Sequence, residues 1–68
     1  MNLIKKSFTL EGHKTSIALE PEFWEALGKL AEMSDSSLPK LISSIDENRS
    51  NRPLASAIRV YCLTAKIK

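Results

Sequence analysis

The 68-residue chain has only one cysteine, two glycines, one histidine and four aromatic side chains. The single Cys62 excludes an intrachain disulfide, and His13 and Cys62 are too few and too far apart in sequence to give a zinc-ligand spacing, so neither metal nor cofactor is expected. With Gly only at positions 12 and 28, no glycine-rich loop can cradle a phosphate. The longest uncharged runs, 53–58 and 60–65, are about a third of the length that crosses a bilayer, and 1–6 is too short and too charged for a secretory signal. These absences point to a cytoplasmic chain without a membrane partner, its thiol reduced. Nor can a nucleophile with a base, or a pair of buried carboxylates, be assembled, which argues against an enzyme.

The remaining composition is that of a globular domain, at 43% hydrophobic and 26% charged. A chain of this size buries only about 60% of its unfolded surface, so a second copy is the expected source of added stability. Net charge is +2, but unevenly placed: residues 1–18 carry +2, 19–35 carry −4, 36–52 carry +1 and 53–68 carry +3. An acidic block thus separates basic ends. No internal repeat and no low-complexity stretch is evident.

From Lys14 to Leu19 the residues alternate, with Thr15, Ile17 and Leu19 on one face and Lys14, Ser16 and Ala18 on the other. The period changes at Glu20-Pro21-Glu22, because Pro suits the first turn of a helix and carboxylates there complement its dipole. Phe23, Trp24, Leu27, Leu30 and Ala31 then form a helical stripe, and the first helix is expected over 21–33. After the turn 34–37, which offers several N-cap side chains, Leu38, Leu41, Ile42 and Ile45 predict a second helix ending near Asn48. Leu54, Ile58, Tyr61 and Ala65 predict a third that reaches almost to Lys68, with Val60, Leu63 and Ile67 off its main stripe as a surface for a protein partner. His13 reads as a turn or strand-start residue, and Arg59 is expected to pair with Asp46 or Glu47.

Residues 1–12 admit two readings, an N-terminal arm or an extra strand, with 13–68 forming the rest of the domain. Phe8 to Leu10 alternate, and Glu11-Gly12 can turn a hairpin back onto Lys14 to Ile17, although Glu-Gly is a weaker hairpin signal than Asn-Gly. The fold class is therefore mainly α with one short strand and an extra C-terminal helix, the added N-terminal strand left open. A lone strand needs a partner for its backbone groups, which a second copy pairing antiparallel would supply.

The order of strand, Glu-Pro-Glu, aromatic helix, Ser-rich turn and second helix resembles the ribbon-helix-helix superfamily. HKTSIALEPEFWEALGKLA, LISSID and NRPLASAIRVYCL look like a bacterial subfamily with a third helix. The resemblance implies a homodimeric regulator of transcription that inserts a two-stranded intermolecular ribbon into the major groove of double-stranded DNA. Lys14, Ser16 and Ala18 would then face the bases, with Ala18 offering only a methyl contact. Ser36, Ser37, Leu38 and Lys40, at the start of the second helix, would hold a phosphate, a role weakened by Pro39. Lys5 and Lys6 would lie over the backbone. Thr15, Ile17, Leu19, Phe23, Trp24, Leu27, Leu41, Ile45, Ile58 and Tyr61 would form core or dimer interface. The alternative is a dimerisation or antitoxin-like protein-interaction module. An extra strand on each outer edge would widen the sheet to about 14 Å between outermost axes, a poor fit to a groove about 12 Å wide.

Overall fold

A computed structural model describes residues 2–67, with side chains through residue 65. Two strands, β1 (Ile4–Leu10) and β2 (His13–Leu19), form an antiparallel hairpin, followed by helices α1 (Pro21–Met33), α2 (Leu38–Glu47) and α3 (Leu54–Ile67). The open choice at the N-terminus resolves to an extra strand, and a longer one than Phe8 to Leu10. Lys5 and Lys6 accordingly sit within β1 and do not form a loose arm.

The two-residue turn has both central residues at positive φ, Glu11 at 50° and Gly12 at 83°. This is the type I′ geometry whose twist matches the flanking strands. Glu11 adopts it without the side-chain advantages of Asn or the freedom of Gly. Tertiary contacts to β1 compensate: the Trp24 indole N–H donates to the Ile4 carbonyl oxygen at 2.8 Å, and the Phe8 ring packs 5.9 Å from that of Trp24. Lys6 Nζ adds a cation–π contact 5.3 Å from the Trp24 ring centroid. One α1 side chain therefore anchors β1 along two-thirds of its length.

Pairing runs from Ile4 opposite Leu19 to Leu10 opposite His13. One edge of β2 is thus satisfied within the chain, so a lone strand no longer demands a second copy. Alternation directs Leu10, Ile17 and Leu19 onto the helices, where they join Trp24, Leu27 and Ala31 of α1, Leu41, Ile42 and Ile45 of α2, and Ala57, Ile58 and Cys62 of α3. Thr15, Phe23 and Tyr61, expected in the core or a dimer interface, are half-buried, Phe23 and Tyr61 packing against the core. The α3 stripe is turned toward Ala57 and Cys62 relative to the sequence expectation, and Cys62 is only 1% exposed.

Helix ends follow local chemistry. Pro21 occupies the first turn of α1, where its missing N–H leaves no helical bond unmade. That helix closes with a Schellman pair, Ser36 N–H to Ala31 O at 2.9 Å and Asp35 N–H to Glu32 O at 3.0 Å, with Asp35 at φ 55° in the place usually held by Gly. Arg59 does not reach α2. Its Nε donates to Glu20 Oε1 at 3.0 Å, joining α3 to the start of α1, while Asp46 is taken by Arg49 at 2.6 Å. The pairing was hidden because Glu20 lies 39 residues away, whereas Asp46 and Glu47 are the acids nearest in sequence.

Candidate nucleic-acid interface

The two faces of the hairpin differ sharply. Opposed residues of an antiparallel pair share a face, so Lys5 and Ala18, Ser7 and Ser16, and Thr9 and Lys14 together make up the side turned away from the helices. All are exposed except the half-buried Ala18. The surface carries two ammonium groups, three hydroxyls and a methyl, and no carboxylate. Ser7 Oγ and Ser16 Oγ lie 3.2 Å apart in its centre, one donating to the other. Lys14, Ser16 and Ala18 are thus together on one face, as the alternation indicated. Sequence reasoning missed Ser7 and Thr9, and it placed Lys5 in an arm; the period-two run from Lys5 to Leu10 was the signal available.

The start of α2 lies on a separate element. Ser37 caps the helix, its Oγ accepting the Lys40 N–H at 3.2 Å. Pro39 has no N–H, so among the first three residues of α2 only Leu38 has an amide that is neither missing nor engaged by the cap. Lys40 is exposed and Ser36 half-buried, its Oγ near the Ser37 carbonyl at 3.4 Å. An anion here would meet one backbone donor and one ammonium, fewer than a helix start normally offers.

Two carboxylates are displaced from their ordinary range. The Glu20 carboxyl is lowered by a hydrogen bond from its own backbone amide and by its bond to Arg59. Glu47, at the end of α2, is raised by a hydrogen bond shared with Glu11 at the hairpin tip and by the like charges of Glu11 and Asp46. The tip of the ribbon is therefore its acidic end. A broad concavity of about 860 Å³ lies between α2, the loop 48–52 and α3, and its lining includes Asn48, Arg49, Arg52 and Tyr61. Among the described residues, no His, Cys, Asp or Glu lines it. Among the described residues, no three such side chains cluster as metal ligands would, and no helix is long and apolar enough to cross a membrane.

A hydroxyl- and lysine-bearing ribbon backed by helices defines the class of small ribbon-and-helix domains. The chain belongs to the ribbon-helix-helix family: the family's domain model matches residues 3–65, which takes in the hairpin and nearly all of α3. No curated protein and no solved structure matches it. Ribbon-helix-helix domains are in general DNA-binding regulators or antitoxins and are not enzymes.

Proposed function

We propose that this protein is a non-enzymatic regulator that binds double-stranded DNA, laying the outer face of its hairpin in the major groove. The observation that carries the reading is that face: Lys5 and Lys14 at diagonal corners, hydroxyls between them and no acid. Two strands about 4.8 Å apart, with their side chains, suit a groove about 12 Å wide. Lysine donates to guanine O6 and N7 or to phosphate, and Ser7, Thr9 and Ser16 can donate to or accept from base edges. Ala18 offers a methyl to thymine. Lys6 and Lys40 lie off this face as phosphate contacts, with Ser36, Ser37 and Leu38 in a minor part. Such a regulator acts in the cytoplasm and needs no cofactor.

Lys6 and Lys40 at phosphates imply a slope of log affinity against log salt of about −1.8, which steepens to about −3.6 where Lys5 and Lys14 also neutralise phosphates. Titration of a labelled duplex at several salt concentrations measures it. Affinity should fall steeply with salt and drop further for Lys14→Ala, whereas salt-independent binding would contradict the reading. A second reading, an antitoxin-like protein-interaction module, is favoured by Val60 and Leu63, 37% and 58% exposed on α3. Ile67, expected on the same patch, lies outside the described side chains.

A further inference from the structure

The concavity between α2, the loop 48–52 and α3 is separate from the ribbon, since among the described residues none of β1 or β2 lines it. Two guanidiniums meet there under different constraints. That of Arg49 is held from two sides, Nε donating to Asp46 Oδ1 at 2.6 Å and Nη1 to the Arg52 carbonyl oxygen at 2.8 Å. The Arg52 N–H donates in turn to the Arg49 carbonyl oxygen at 3.1 Å, so the loop closes on itself and fixes that head group. The exposed Arg52 side chain, by contrast, has no hydrogen bond or ion pair among the described residues. Asp46 therefore offsets one positive charge and leaves the other uncompensated. Because α2 ends and α3 begins beside the concavity, their dipoles oppose each other and the guanidiniums set the sign of the local field. Carbonyl oxygens that would repel an anion are engaged: that of Ser44 accepts from Asn48 Nδ2 at 2.8 Å, and that of Ile45 from the Asn48 N–H at 3.1 Å. The remaining lining is apolar, with Ile45 and Ala57 buried, Val60 exposed and Tyr61 half-buried. The Tyr61 hydroxyl has no hydrogen-bond partner among the described residues.

We propose that this concavity binds a small organic anion, a carboxylate or phosphate carried on a flat apolar body. Arg52 supplies the uncompensated charge, and its planar fork matches two oxygens of either group. Arg49, already positioned through Nε and Nη1, keeps Nη2 for the same anion. The Tyr61 ring, with Ala57 and Val60, receives the apolar body. Both halves of the ligand are needed. At about 860 Å³ the concavity has the size of a small-molecule cleft, so an inorganic ion alone would leave most of it, and all of its apolar lining, in water. A purely apolar ligand would in turn strip water from two guanidiniums without replacing it. The assignment is independent of the DNA-binding reading, because it uses no residue of the hairpin or of the start of α2.

The test titrates the isotopically labelled full-length chain with phenyl phosphate and, separately, with benzoate, followed by amide NMR. Inorganic phosphate and benzyl alcohol present the anion and the ring alone. Probes of this size bind with a Kd of about 1–10 mM, and whichever of the two saturates tells phosphate from carboxylate. The proposal expects saturable shifts on Arg49, Arg52, Val60 and Tyr61 with at least one ring-borne anion, and binding of each half-probe weaker by about fivefold or more. Arg52→Gln should lower affinity about tenfold. That variant keeps the backbone carbonyl used by Arg49, so it leaves the loop intact. Lys29→Gln, which removes an exposed cation of α1 outside the concavity, should bind as wild type does. Failure of both ring-borne anions to saturate would overturn the proposal, as would inorganic phosphate binding equally well or equal losses for Arg52→Gln and Lys29→Gln. So would shifts at these same amides that depend on protein concentration without any probe, since a second copy would then cover the concavity.

Discussion

Replacing Trp24 by Phe tests how the hairpin is held to the helices. The substitution keeps an aromatic ring against Phe8 but removes the N–H that donates to the Ile4 carbonyl at 2.8 Å, along with part of the surface beneath Lys6. The lost hydrogen bond is worth about 1 kcal/mol. Removing the equivalent of two ring carbons from a side chain only 7% exposed takes away about 1.5 kcal/mol at about 0.8 kcal/mol per carbon. The weakened cation–π contact adds a few tenths more, so the whole effect is about 2–3 kcal/mol. A domain of this size is held by about 3–10 kcal/mol, so the loss is a large fraction of its stability. With a urea slope of about 1 kcal/mol/M, the unfolding midpoint should fall by about 2–3 M. Far-ultraviolet circular dichroism is the appropriate probe, since the variant has no tryptophan. Hydrogen exchange should lose protection first and most in β1. A midpoint unchanged within about 0.3 M, or β1 amides protected as in wild type, would refute the view that this indole anchors the strand.

Turn chemistry supplies two further expectations. Glu11→Asn places a residue that favours positive φ where Glu stands at 50°, and should stabilise the fold by about 1 kcal/mol in urea melts; a decrease would contradict the type I′ assignment. Asp35→Gly should add about 0.5 kcal/mol, because the Schellman position at φ 55° suits glycine; destabilisation would count against that assignment. The pH dependence has a definite sign. Glu47 is raised in the fold, so its repulsion with Glu11 is absent below the ordinary carboxylate range and lowers stability as pH rises through and above it. Glu47→Gln should therefore stabilise the chain at neutral pH relative to acid, a difference that chemical denaturation at about pH 4 and pH 7 measures and that a pH-independent effect would contradict. Glu20 acts oppositely, its bond to Arg59 contributing stability above that range that is lost as pH falls through its lowered value.

The helices were legible because their signals are local: Pro21 and the acids around it, the Ser37 cap, and apolar stripes at helical spacing. The strand from Lys14 was legible for the same reason, through simple alternation. The hairpin was only half legible, since Glu11-Gly12 is a weak turn signal and what secures β1 is Trp24, twenty residues from Ile4 in sequence. Arg59 and Glu20, farther apart still, gave no local sign of their bond. At the candidate site, Lys14, Ser16 and Ala18 could be read from one strand. Their counterparts Lys5, Ser7 and Thr9 could not, because their role depends on register, which alternation alone does not set. The α3 stripe was misaligned because small residues such as Ala57 and Cys62 fit the helix contact more closely than the larger Leu54 and Tyr61, which remain half-buried.

The most direct test of the central claim, that the outer face of the hairpin binds DNA, is a titration of the isotopically labelled chain with duplex followed by amide NMR. The account predicts that the largest shifts fall on Lys5, Ser7, Thr9, Lys14, Ser16 and Ala18, that they saturate together, and that they reverse with added salt. Shifts centred on Val60 and Leu63 of α3, with the hairpin face unchanged, would contradict it.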